Sequence, residues 1–274
     1  MGVISGRAGA VNGVSTMRTW TISTSADVQA AVASNTKHGT VVIDGNTDWS
    51  GNYTAYGHTP AKLPGETFAG TFSLDETNGL AGSAIVDSVT IVVDIFAGAI
   101  IQHTVNFSGN GAVTRGAAAA TDVTIPDPPT SIGCKLEIGT MVGTAVWTAV
   151  TDVRTMTLVL TSSNQAYVSS DTAGATKRLE GNLSGTFAAT VYTDDPSDLP
   201  EENDVYRVRM YVTPTLFWLL EFVEFAGQAD LGADVEGATI VGANLTGQWT
   251  GYASVSAVAT EGSIKTPAVA TVWP

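Results

Sequence analysis

The chain has 274 residues and a formal net charge of −14, with 44% hydrophobic but only 14% charged residues. A charged share so far below the roughly 25% usual in globular domains predicts a surface rich in Thr, Ser, Gly and Ala, much of it covered in an assembly. No basic stripe is present, which argues against a protein held to nucleic acid by phosphate contacts.

From the N-terminus, MGVISGRAGAVNGV lacks a basic segment followed by a continuous apolar one, so no secretory signal is expected, and the chain reads as made in the cytosol and soluble. The next stretch, 18–46, recurs without a gap at 154–182, with 11 of 29 positions identical, among them Arg18/Arg154, Gln29/Gln165, Gly45/Gly181 and Asn46/Asn182. The matched arginines suggest an equivalent ion pair in each copy or, equally, an incidental charge at a strand edge. After a two-residue gap the match resumes at Ser50-Gly51 against Ser184-Gly185, and a weaker echo relates 2–8 to 139–145. Within the first copy SADVQAAVAS (25–34) predicts a short helix capped by Ser25. Its counterpart in the second copy is a poorer helix former.

Elsewhere the dominant period is two. The segments 66–74, 88–96, 99–107, 154–161 and 204–212 are β-branched or aromatic and are punctuated by Gly and Asn, which predicts antiparallel strands. The apolar run 215–225 carries Glu221 and Glu224, is too short to span a bilayer, and reads as a core strand or short helix. PDPPT at 126–130 reads as a stiff linker, and KTPAVATVWP at 265–274 as an extended arm ending in Trp273. The expected fold is therefore all-β, with at most one short helix per domain, in two tandem homologous antiparallel β-sandwich or barrel domains. Residues 1–125 form the first domain with an N-terminal arm, 126–131 the linker, 132–256 the second domain and 257–274 a C-terminal arm.

A four-residue signature recurs inside both copies: DWSG at 48–51, NFSG at 106–109, NLSG at 182–185 and NLTG at 244–247. Asn and Asp close turns through their side chains and Gly permits a bulge or a close backbone approach, so Asp48/Gly51, Asn106/Gly109, Asn182/Gly185 and Asn244/Gly247 read as strand-entry turns. Three of the four are also glycosylation sequons, as is Asn52-Tyr53-Thr54, but glycosylation is not expected without a secretory signal.

No catalytic constellation emerges. His38, His58 and His103 are scattered, His38 faces Gly174 in the repeat, and no metal-ligand, phosphate-loop or nucleophile-elbow spacing is present. Cys134 is the only cysteine and reads as a buried small hydrophobe. The acidic stretch DDPSDLPEEND (194–204) does not follow a calcium-loop pattern and reads as a solvated loop. Trp49, Tyr53 and Tyr56 present aromatic faces of the kind that stack on sugars, although Trp49 and Tyr53 also follow the period of core residues. We expect no enzyme, no cofactor and no metal.

A tandem of Thr/Gly/Ala-rich, acidic β domains with no active site resembles the major tail proteins, or tail tube proteins, of long-tailed bacteriophages. The segments DGNTDWSGNYTAYG (44–57) and PAKLPGETFAGTF (60–72) are similar in style to that family. The resemblance implies a structural virion protein of the tail, synthesised in the host cytoplasm. It would polymerise as stacked rings, trimeric and pseudo-hexameric when the domain is duplicated, around a channel for DNA. Its partners would be itself, other tail proteins, and DNA passing without specific binding; no membrane is involved. Asp44 and Glu180, aligned before a Gly-Asn turn, are the candidate lumen carboxylates. Trp273 is a candidate inter-subunit contact, and the loops 57–66 and 194–204 are further stacking candidates. A capsid decoration or baseplate protein is the alternative, followed by a carbohydrate-binding adhesin module.

Overall fold

The computed structural model describes residues 10–11, 14, 16–31, 41–74, 78–117, 129–140, 146–192, 199–200, 204–232, 242–249 and 253–257. These residues are nearly all strand. The first half contains β1 (Ala10–Val11), β2 (Met17–Ala31), β3 (Val41–Tyr56), β4 (Thr67–Ser73), β5 (Asn78–Asp94) and β6 (Gln102–Ala117). The second contains β7 (Leu136–Thr140), β8 (Trp147–Val150), β9 (Val153–Ser162), β10 (Gln165–Tyr167), β11 (Lys177–Leu179), β12 (Leu183–Tyr192), β13 (Val205–Tyr211), β14 (Leu216–Gly232), β15 (Gly242–Trp249) and β16 (Ala253–Ala257). The only helical element among the described residues is a 3-10 turn at Ser170–Thr172.

The all-β, antiparallel expectation is met. The helix expected over 25–34 does not form in its described part, because residues through Ala31 continue β2 and pair with β3, as in Ser25 with Asp48 and Ala30 with Val42. Cross-strand pairing here overrides a weak local helix preference. The apolar run 215–225 is likewise strand, the start of β14.

Strand order repeats between the halves. In the first half β1 pairs β4, β4 pairs β5, β5 pairs β6, β6 pairs β3 and β3 pairs β2. In the second, β7, β13, β14, β15, β12 and β9 follow one another in the same manner. All belong to one 14-stranded sheet, which runs through both halves because β5 pairs with β9 from Ser88↔Thr161 to Asp94↔Thr155. The two halves therefore do not form separately closed sheets. The described end of the 126–131 segment is tied down as well: the Ser131 amide donates to the Ala99 carbonyl at 2.9 Å and the Ile101 amide to Pro129 at 2.9 Å.

The sheet curls into a β-sandwich-like layer around aromatic residues. Phe72 on β4 lies 5.7 Å from Trp20 on β2 and 5.2 Å from Phe107 on β6, centroid to centroid, although β4 and β2 are not neighbours in the sheet. Trp49 and Tyr53 on β3 join this cluster almost fully buried. Each such ring removed from water contributes on the order of 1.5–3 kcal/mol. The second half packs Phe187, Trp218, Val223 and Phe225 in the same continuous core.

Three of the four signatures lie inside strands, which corrects the strand-entry reading for them, whereas Asn182 stands at the entry of β12. Asp48 and Gly51 are inside β3, Asn106 and Gly109 inside β6, Asn244 and Gly247 inside β15, and Gly185 inside β12; Asn182 immediately precedes β12. Their glycines serve close approach rather than turning. A Cβ at Gly109 would stand 2.2 Å from Trp49 Nε1, one at Gly51 2.7 Å from the Phe107 ring, and one at Gly247 2.5 Å from Val223.

Candidate functional site

The most organised polar region is the seam between the two halves. There the hairpin β10–β11 of the second half reaches over β3 and β6 of the first. The Arg178 guanidinium donates to both Asp48 carboxylate oxygens, at 2.6 and 2.9 Å, and also to the Gly109 carbonyl. The Arg178 amide donates to Asn110 Oδ1 at 3.0 Å. Asp48 Oδ1 in turn accepts from the Trp49 amide at 2.8 Å. Backbone contacts reinforce the docking: Thr47 N to Gly174 O at 2.7 Å, Thr176 N to Thr47 O at 3.0 Å and Gly111 N to Thr176 O at 2.8 Å. A planar guanidinium held by a carboxylate fork is a geometrically specific tie.

The hairpin tips of the two halves share one register. Gln29, Ala30 and Ala31 pair with Ile43, Val42 and Val41, and their aligned counterparts Gln165, Ala166 and Tyr167 pair with Leu179, Arg178 and Lys177. At the base of each tip a matched glycine abuts the opposite strand. A Cβ on Gly45 would lie 2.5 Å from the Asp27 carbonyl oxygen, and one on Gly181 1.9 Å from that of Ser163. Asp27 and Ser163 are themselves aligned, so both glycine identities in the repeat have the same steric cause.

The two tips differ in what covers them. The second is docked at the seam. On the first, the described side chains Val28 and Val42 are more than 60% exposed. The same holds for the strands below. On β9, Met156 and Leu158 are fully buried against β5, whereas their counterparts Trp20 and Ile22 on β2 are only half-buried.

The other sequence candidates fall as follows. Glu180 is exposed and lines a shallow depression with Lys62, Glu66 and Arg178. The Asp44 backbone pairs with Val28, and Gly45-Asn46 after it continue β3 instead of turning, which corrects the turn expected there; the Asp44 side chain is outside the described set. Trp273, most of the 194–204 loop and the 2–8 echo lie outside the described residues. The 57–66 loop packs on its own chain: Trp218 Nε1 on β14 donates to the His58 carbonyl at 3.1 Å.

Among the described residues neither Arg18 nor Arg154 forms an ion pair. Arg18 donates to Gln102 at 3.0 Å; Arg154 donates to the Tyr192 hydroxyl at 2.6 Å and lies 4.3 Å above the Phe96 ring. Burial of Trp49 and Tyr53 removes the aromatic sugar platform.

Two titratable clusters and one buried thiol stand out among the described residues. His103 Nδ1 donates to the Gly57 carbonyl at 3.0 Å. Burial holds the His103 pKa below its ordinary value, against the opposing effect of that bond. The His58 pKa is lowered too, first by burial and then by the charge of His103. Nothing in the spacing of 58 and 103 along the chain anticipates this coupling. Glu137 accepts from Lys135 at 2.5 Å, Tyr211 at 3.0 Å and Arg209 at 3.3 Å. Burial alone would raise its carboxyl, but these three donors outweigh it and hold the pKa below the usual carboxylate value. The Arg209 guanidinium is also stacked 3.6 Å over Trp147. Cys134 is buried, which pushes its thiol up to about 11.

Among the described residues no group of three or more His, Cys, Asp or Glu side chains is arranged to hold a metal ion, and no helix is long and apolar enough to cross a membrane. No family model matches the chain, and no curated protein matches it.

Proposed function

We propose that this protein is a structural virion subunit that polymerises into a phage tail tube, as stacked trimeric, pseudo-hexameric rings around a channel for DNA. The observation that carries the reading is the repeated strand order joined head to tail by β5 and β9. Two halves of like topology on one chain present six similar positions from three chains, and a heterologous joint of fixed rotation closes into a ring. The net charge of −14 suits the channel, since like charge keeps phosphates from settling on the wall. Asp44 and Glu180 remain its candidate lumen carboxylates, and Trp273 its candidate contact between rings. On this reading the protein has no catalytic role, and its partners are its own copies, other tail proteins and transiting DNA.

Electron microscopy of the purified protein, with mass measurement across concentration, tests the proposal. Tubes or stacked rings built of trimers are expected. Discrete trimers that never stack would favour the decoration or baseplate alternative. A monomer at every concentration would sink both.

A further inference from the structure

We propose that Asn110-Gly111 is a self-modification site gated by the β10–β11 hairpin. While the hairpin is seated, cyclisation of Asn110 is blocked. When it lifts, the pair converts irreversibly to a form on which the hairpin no longer seats.

Asn-Gly occurs three times in the chain, at 12–13, 78–79 and 110–111. Glycine has no Cβ to shield its amide nitrogen or to restrict its backbone. That nitrogen can attack the side-chain carbonyl carbon of the preceding Asn. The N–Cγ bond forms, the attacking nitrogen gives its proton to water or hydroxide, and the side-chain amide leaves as ammonia. Water then opens the five-membered imide at either carbonyl, giving aspartate or isoaspartate, a covalent change of charge or backbone.

The pair at 110–111 is distinguished by what holds it. Residues 110–112 stand against Ser83 alone, between the pairs Ala84↔Gly109 and Gly82↔Val113, so they bulge from the β5–β6 ladder. The hairpin takes both reacting groups instead. The Arg178 amide donates to Asn110 Oδ1 at 3.0 Å, which fixes the side chain. The Gly111 amide, the nucleophile of the cyclisation, donates to the Thr176 carbonyl at 2.8 Å, which turns it away from Asn110 Cγ. Both residues are half-buried, within reach of water. Gly111 sits at φ +112° with no described atom within 4 Å of its Cβ position, so release of the hairpin leaves the nitrogen uncrowded.

The gate itself is slight. β10 and β11 pair over three residues each, and all of β10 is exposed. A two-stranded hairpin is marginal on its own in water. Its seating rests on the Arg178–Asp48 clasp and the backbone bonds around Thr47 and Thr176, and these can open without unfolding the sheet. Isoaspartate then inserts one carbon into the backbone between residues 110 and 111. The Gly111 amide is displaced from Thr176 and its carbonyl from Trp49 Nε1, which it accepts at 2.8 Å in the unmodified seam. The open state is thereby trapped.

The test is to age the full-length protein at pH 8 and map isoaspartate and the amide-to-acid mass gain by peptide. Asn78-Gly79 is the internal reference, because its backbone is paired within the first half, to Ser73, Gly116 and Ala117. R178A and D48A, which loosen the hairpin, should speed conversion at Asn110 about fivefold or more and leave Asn78 unchanged. In wild type, sub-denaturing urea should accelerate Asn110 before Asn78, which keeps the proposal testable if either variant folds poorly. Equal acceleration at the two sites, no acceleration at Asn110, or a native rate at Asn110 matching that of the unfolded chain would overturn the gate. In converted protein the Thr176 and Arg178 amides, which donate across the seam, should exchange hydrogen at least about tenfold faster. Unchanged protection there would overturn the trapping.

Discussion

Arg178 clasps Asp48 across the boundary between the two halves, with both carboxylate oxygens engaged at 2.6 and 2.9 Å. The pair joins the β10–β11 hairpin to β3 and sits directly over the Trp49 slot. Replacing Arg178 with Ala leaves Asp48 facing the Gly109 carbonyl without its cation. The expected cost is about 1–3 kcal/mol, below that of a fully enclosed pair because water still reaches Asp48. Denaturant midpoints of R178A, D48A and the double variant form the cycle that checks this; additive losses would mean the two groups are not coupled.

Gly109 has no room for a side chain. Gly109→Ala should push the Trp49 ring against Gly82, whose own Cβ position is 2.8 Å from that ring. Overpacking of this kind costs about 1–3 kcal/mol. A thermal melt unchanged from wild type would show that the ring can shift without strain.

Acid should destabilise the fold before the carboxylates titrate. His58 and His103 have folded pKa values below 6.5, so their neutral forms contribute fully above pH 6.5. That contribution is lost as pH falls below 6.5, because the unfolded chain takes up protons first. Glu137, also lowered, adds a loss that begins near 4.5. Stability measured between pH 7.5 and 5 should fall, and H103Q should flatten the slope. An unchanged slope in H103Q would remove the histidine from this account.

The Cys134 thiol, pushed up to about 11 and buried, should react slowly with a thiol reagent at pH 8 in the folded protein and rapidly once unfolded. Equal rates would mean that the Cys134 region opens readily.

Much of the fold was legible because the side-chain alternation of strands is written directly into the order of residues. Trp49, Tyr53, Phe187 and, in the run ending at Phe225, Leu220, Val223 and Phe225 fall on buried strand faces for that reason, while Phe222 is left exposed. The repeat was legible too, down to Gly45 and Gly181. The 25–34 segment misled because its alanines favour a helix locally, while the partner that makes it strand lies on β3. Close approach at the signature glycines was legible, but not the ring that each one accommodates, and three of the signatures sit inside strands because turn residues and slot residues look alike in sequence. Neither the Arg178–Asp48 clasp nor the approach of His58 to His103 follows from the sequence, since each joins segments far apart in the chain. Of the candidate lumen pair, Glu180 is exposed and the Asp44 side chain is outside the described set, so their orientation in a tube is a matter for the assembled particle.

The β5–β9 joint also bears on how quickly a ring can be completed. A contact between segments of one chain forms at a high effective concentration and needs no encounter in solution. Of the six joints in a ring of three such chains, three would already exist when each chain finishes folding. Of the three that remain, two would need an encounter in solution and the last would close within the open trimer, and every open intermediate would expose one free edge of each kind, however many chains it held. Growth would then be a matter of adding whole pre-joined pairs, and a stalled intermediate lacking half a repeat could not arise.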